Sequence, residues 1–191
     1  MPETITAEYR RLQQELHLNP GYGVASVAFA PIIAAILQMN GIRELADYGS
    51  GKQRLRPALE EQGVNLESYY PYDPAFPGDG KPTSAPMVCC IDVLEHVEPA
   101  CLDAVLLELA GLVCQFAFVT IHTGPAVKHL ADGRNAHLIQ APASWWLPKI
   151  CNVLEVLHLE CHDQMGHGFW MLLAPKQQQA AVIDGLVATG P

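Results

Sequence analysis

Asp47 stands two residues before a closely spaced glycine pair, Gly49 and Gly51, in the stretch LADYGSG, where an apolar run gives way to a turn. A turn of this kind, between a strand and a helix, leaves backbone N–H groups free for a ligand, and glycine lets that ligand approach closely. Asp73, in YYPYDP, closes a second strand-like stretch, where a carboxylate can accept both hydroxyls of a ribose. Further on, CIDVLEHVEP sets Asp92, Glu95 and His96 at i, i+3 and i+4. A helix starting near Asp92 would project all three from one side of its first turn, within reach of one cation. The same residues could instead cap the helix and favour its positive end. His122, at a strand end, and His137, in the polar segment DGRNAHL, complete the set.

The elements that must position these groups alternate between strand and helix. RELADYG suits a buried strand, GKQRLRPALEEQG the helix after it, stopped by Gly63, and LESYYPYD holds a second strand. MVCCIDVL is a third strand feeding the helix VEPACLDAVLLELAGL, and QFAFVTIHT a fourth. A long polar loop, GPAVKHLADGRNAHLIQAP, leads to the short helix ASWWLPKICNVL. EVLHLECHD and HGFWMLLAP, separated only by QMG, pair as an antiparallel hairpin at a sheet edge. The fold class expected is therefore α/β: a Rossmann-like, mostly parallel sheet with helices on both faces and a C-terminal antiparallel hairpin. Residues 1–40, with helices over 6–18 and 24–38, read as a helical cover, 41–176 as the main body and 177–191 as a peripheral tail, all in one structural domain.

Composition narrows the choices. The chain has 191 residues, half of them hydrophobic, enough for one sizeable core, and a formal net charge of −9, which argues against an extended nucleic-acid partner. Its six cysteines show neither zinc-knuckle spacing nor the density of a disulfide scaffold, so they read as reduced thiols. The N-terminus lacks the order of a signal peptide, and VASVAFAPIIAAILQM is too short to span a bilayer. A cytoplasmic location without membrane contact is expected.

In a parallel α/β sheet the ligand lies beyond the carboxyl ends of the strands. A dinucleotide fingerprint would need a third glycine where Arg54 stands, so a pyrophosphate is not supported. A nucleoside without phosphates needs only Gly49 and Gly51, with acids to hold an amine, a cation and ribose hydroxyls.

LADYGSG, YYPYDPA and CIDVLEHVEP, in this order and spacing, resemble the class I S-adenosylmethionine-dependent methyltransferases over about residues 43–122, and DGRNAHLIQAPASWW resembles a segment of bacterial and phage-type members. The resemblance implies S-adenosylmethionine as cofactor, with Gly49 and Gly51 under its methionine part, Asp47 near its amino group, Asp73 on the ribose, and Tyr48, Ser50 and Asp92 completing the pocket. It implies a seven-stranded sheet, here short by one strand because no separate strand fits between Asp73 and Met87, and leaves Asp79 as the candidate adenine contact. DVLEH with a later histidine also resembles two metal-dependent branches, the small-RNA 3'-terminal 2'-O-methyltransferases and the ubiquinone-pathway O-methyltransferases. Carried over by position, Asp92, Glu95, His96 and His137 would hold Mg²⁺ or Mn²⁺, Fe²⁺ and Zn²⁺ also suiting such ligands. Without a metal, His137 or His122 becomes the general base.

The function expected is methyl transfer to a small-molecule or terminal hydroxyl acceptor, with Asp92, His122 and His137 as candidate catalytic residues. The alternative is a binding or regulatory module that keeps the adenosyl pocket without turnover. His158, Cys161, His162 and His167 could form a zinc site by residue type, but they straddle the hairpin and read as structural or surface groups. Trp145 and Trp146 read as core anchors, and Arg134 and Asn135 as polar loop residues suited equally to substrate contact or loop chemistry.

Overall fold

The structure is a computed structural model that describes residues 3–163 and 166–176; the tail expected over 177–191 lies outside them. Two helices come first, α1 (Ala7–Leu16) and α2 (Ala25–Asn40). Thr6 caps α1, its side chain accepting the N–H of Tyr9, while Gly41 ends α2 in the left-handed region at φ 64°. Strand β1 (Glu44–Tyr48) follows, then α3 (Leu55–Glu61), β2 (Ser68–Tyr72) and β3 (Ala85–Ile91). The rest is α4 (Leu102–Leu112), β4 (Val113–His122), α5 (Ala143–Val153), β5 (Leu154–His162) and β6 (Gly168–Pro175).

The six strands form one sheet in the order β2-β1-β3-β4-β6-β5. β1 to β4 run parallel; β6 pairs antiparallel with both β4 and β5, which is the hairpin expected from the sequence. The missing strand is explained by residues 74–84, where Pro74, Pro77, Gly78, Gly80 and Pro82 interrupt any ladder and leave only the 3-10 turn Pro77–Asp79.

Both sheet faces are covered. On one, α4 and α5 bury Leu102, Val105, Leu109, Trp146 and Ile150 against Val88, Cys90, Val119 and Met171. On the other, α2 and α3 bury Phe29, Ile33, Leu37, Leu55 and Leu59 against Leu45, Met87, Cys89 and Phe118. Alternation along β3 thus sends Cys89 and Cys90 to opposite cores, and both thiols are fully buried and reduced. Among the described residues no helix is long and apolar enough to cross a membrane.

Two boundaries differ from the sequence reading. The helix expected from Val97 begins at Leu102, preceded by a separate 3-10 turn, Leu94–His96. No helix starts at Asp92; its φ of 50° places it in the left-handed region.

Candidate active site

The strand ends of β1 to β4 open into a cleft of about 350 Å³. Gly49 leaves β1 at φ 75°, and a Cβ there would collide with both γ-carbons of Val93. The chain can therefore turn between the ends of β1 and β3 only with glycine at this position. The N–H groups of Gly49 and Ser50 donate to the Tyr72 carbonyl at 2.8 and 3.1 Å, tying the turn to β2. Gly51 N–H donates to Asp73 Oδ2 at 3.0 Å, and Ala75 N–H to Oδ1 at 2.8 Å, so Asp73 braces both loops while lining the cleft.

Asp47 is almost fully buried and accepts a hydrogen bond from the Tyr69 hydroxyl. Burial pushes its carboxyl up to about 7; the Tyr69 bond opposes the rise and the nearby Asp73 charge adds to it. Ser50 Oγ is buried without a hydrogen-bond partner among the described residues. Tyr48 also borders the cleft, but its hydroxyl donates to Glu108 Oε2 at 2.7 Å on α4. The side chain of Asp79 lies outside the described residues.

The DVLEH turn is held by β4. Thr120 Oγ donates to Asp92 Oδ1 at 2.5 Å and accepts the Asp92 N–H at 2.9 Å, which fixes Asp92 in its left-handed conformation. Glu95 is fully buried: Oε1 accepts the His122 N–H at 2.9 Å, while Oε2 has no partner among the described residues. Burial, reinforced by the Asp92 charge, pushes its carboxyl well above the usual range.

His96 Nδ1 lies 2.8 Å from the Ala136 carbonyl and His137 Nδ1 2.7 Å from the Gly124 carbonyl. A carbonyl oxygen only accepts, so Nδ1 carries the proton in each ring and Nε2 the lone pair. The two rings meet edge-on with centroids 4.7 Å apart. Burial pushes His96 down to about 3, with the His137 ring adding to the effect, and lowers His137 as well.

One ligand atom from each of Glu95, His96 and His137 falls within 4.8 Å of the others. Asp92, expected as a fourth ligand, does not join this group. Its first oxygen is taken by Thr120, and the left-handed turn separates it from the 3-10 turn carrying the other two. The buried, unpartnered Glu95 oxygen and the two carbonyl-oriented imidazoles fit a divalent cation: an anionic donor, two neutral nitrogen donors, and the outer hydrogen bonds that usually orient ligating histidines. His122 is arranged differently. Its Nδ1 lies 3.1 Å from the Gly124 N–H and 3.2 Å from the Gly124 carbonyl, two contacts that suit opposite tautomers of the ring.

The loop 124–137 is cross-linked by its own hydrogen bonds. Asn135 Oδ1 accepts the N–H groups of Ala126 and His137 at 2.9 and 3.0 Å, and its amide donates to the Ala126 carbonyl at 2.8 Å. This loop role, one of two open to Asn135 in sequence, sets the backbone under His137. Arg134 pairs with Asp132 at 2.6 Å. Trp146 is fully buried, whereas Trp145 is 41% exposed with Lys149 over its ring. The structure does not gather His158, Cys161, His162 and His167: His158 packs on Trp170, His162 on Phe29, and His167 pairs with Asp163.

Sequence reasoning assigned no site role to residues 1–40, yet they close the cleft. Tyr9 hydroxyl donates to the His96 carbonyl at 2.5 Å, Gln13 donates to that hydroxyl at 2.6 Å, and the Tyr22 hydroxyl lies 3.3 Å from His96 Nδ1. The only sequence signal was the polar break LHLNPGYG between two helices, and its partners lie too far along the chain for any local pattern to reveal.

No family model and no curated protein sequence matches the chain. Among solved structures it is similar to a magnesium protoporphyrin IX methyltransferase from Synechocystis, crystallised with S-adenosylhomocysteine. The TM-score is 0.57 and the identity 14%, over 86% of this chain and 93% of that one. It is similar to the 1,6-didemethyltoxoflavin-N1-methyltransferase of Burkholderia thailandensis at a TM-score of 0.62 and 12% identity, over 93% of both chains. The mitomycin 7-O-methyltransferase MmcR aligns with a TM-score of 0.60 and 15% identity, over 87% of this chain and 60% of that one. The fold is that of the class I S-adenosylmethionine-dependent methyltransferases.

Proposed function

We propose that the protein transfers a methyl group from S-adenosylmethionine to a hydroxyl of a small-molecule acceptor, assisted by a divalent cation. The observation that carries this reading is a juxtaposition. The glycine turn with Asp47 and Asp73 and the group Glu95, His96 and His137 stand at neighbouring strand ends of one sheet.

In this reading Gly49 and Gly51, whose N–H groups are bonded within the chain rather than left free as the sequence suggested, contribute close approach of the donor, Asp73 accepts the ribose hydroxyls and Asp47 faces the ammonium. The sulfonium is itself a good leaving group, so the remaining tasks are in-line positioning and removal of the hydroxyl proton. As the acceptor oxygen bonds to the methyl carbon, the carbon–sulfur pair returns to sulfur and the hydroxyl proton passes to solvent water. Glu95, His96 and His137 would hold the cation, and two imidazoles with one carboxylate favour Mn²⁺ over Mg²⁺. Such an ion supplies Lewis-acid polarisation of the acceptor oxygen. Asp92 is a positioning residue that shapes the turn with Thr120.

The test pairs calorimetry with turnover. Protein stripped with chelator should bind S-adenosylhomocysteine, and release of that product during a screen of hydroxyl acceptors should require added Mn²⁺. Well-folded protein that does not bind it would refute the cofactor assignment. Turnover unchanged in chelator would refute the cation and leave the His137 Nε2 lone pair as the proton acceptor. Binding without turnover on any acceptor would favour the non-catalytic module.

A further inference from the structure

The segment between α1 and α2 lies over the glycine turn, and the turn is built to hold it. A Cβ on Gly51, which sits at φ 47°, would lie 2.8 Å from His17 Cε1, so the second glycine provides the seat for this ring. The next residues clamp the same segment. Lys52 Nζ donates to the carbonyls of Asn19 and Tyr22, the latter at 3.0 Å, and Arg54 donates to the Pro20 carbonyl at 3.0 Å. The imidazole is wedged between Tyr22 and Phe76, with ring centroids 4.8 and 5.0 Å away.

His17 is thereby fixed above a particular part of the cleft. Its seat, Gly51, donates to Asp73, and its neighbour Phe76 follows Asp73 by three residues. Its Nδ1 is buried against the turn without a partner, and neither ring nitrogen has a hydrogen-bond partner among the described residues although the residue lines the cleft. Burial, with Lys52 adding to it, pushes the ring down to about 4, so it is a neutral group able to donate or accept a single hydrogen bond.

We infer that His17 is a cofactor-contacting residue, delivered over the groove by the Gly51–Arg54 turn, whose Nε2 hydrogen-bonds a ribose hydroxyl on the side opposite Asp73. This rests on the S-adenosylmethionine reading. The basic run after the glycines is then a latch for the covering segment, and the GSGKQR stretch serves ligand and lid together.

Calorimetry with S-adenosylhomocysteine and its 2'-deoxy and 3'-deoxy analogues tests the contact. His17→Ala should weaken binding of the parent compound by about three- to tenfold, the loss of one hydrogen bond. For the analogue lacking the contacted hydroxyl, wild type and His17→Ala should bind within about twofold of each other. Lys52→Met should weaken parent binding when His17 is present and have little further effect in the His17→Ala background. An equal loss for all three compounds would show a packing role and overturn the inference, as would unchanged affinity for the parent. Failure of wild type to bind S-adenosylhomocysteine would instead remove the cofactor reading and the inference with it.

Discussion

Replacing Asp47 by Asn should remove a loss of stability that grows as the pH rises. The carboxyl is 4% exposed and its value in the fold is about 7 against an ordinary 3.8. A raised carboxyl means that the folded state holds its proton more tightly than the unfolded state, so stability falls as pH rises. The contribution is complete below about pH 3.8 and is lost through about pH 7. At 1.36 kcal/mol per pH unit the whole difference is on the order of 4 kcal/mol, of which about 2 to 3 kcal/mol falls between pH 5 and pH 8. Glu95, also raised, acts in the same sense, whereas His17, His96 and His137, all lowered, favour the fold as pH rises. These act alike in wild type and variant, so the difference between the two isolates Asp47. Urea denaturation of ligand-free protein at several pH values between 5 and 8 measures it. The advantage of Asp47→Asn over wild type should grow with pH by roughly that 2 to 3 kcal/mol. Parallel pH profiles would refute the account of a carboxylate held in place against its own desolvation. If Asp47 faces the ligand ammonium, S-adenosylhomocysteine should stabilise wild type at pH 8 more than it stabilises the variant.

Asp73→Ala removes the acceptor of two loop N–H groups and should weaken S-adenosylhomocysteine binding by about 1 to 3 kcal/mol in calorimetry. Gly49→Ala puts a Cβ against Val93 at a positive φ and should cost about 2 to 4 kcal/mol in urea denaturation, partly recovered in the double variant with Val93→Ala. Thr120→Val removes the hydroxyl that bonds the Asp92 carboxylate and N–H, leaving the N–H only its longer bond, 3.3 Å, to the carbonyl of residue 120; a loss of about 1 to 3 kcal/mol by the same measurement is expected, and no loss would show that the turn holds itself.

The sequence alone determined the alternation of strands and helices, the closing hairpin and the absent seventh strand, because each follows from local patterns. These are apolar runs of strand length, glycines where φ must be positive, and prolines where a ladder cannot form. It also located Asp47, Gly49, Gly51 and Asp73, since strand ends are where a parallel sheet exposes backbone to a ligand.

Only the tertiary structure decided how the second half of the site is assembled. The spacing of Asp92, Glu95 and His96 suggested one helical face, but Thr120, 28 residues away, draws Asp92 into a left-handed turn, so Glu95 and His96 sit on a separate 3-10 turn. His137 reaches them because Asn135 and the Gly124 carbonyl fix its loop, and those bonds link residues 2 to 13 positions apart on irregular backbone. The covering segment was least legible of all. Tyr9 and His96 are 87 residues apart, and a hydroxyl on an amphipathic helix carries no mark of the distant carbonyl it will meet until the sheet brings the two together.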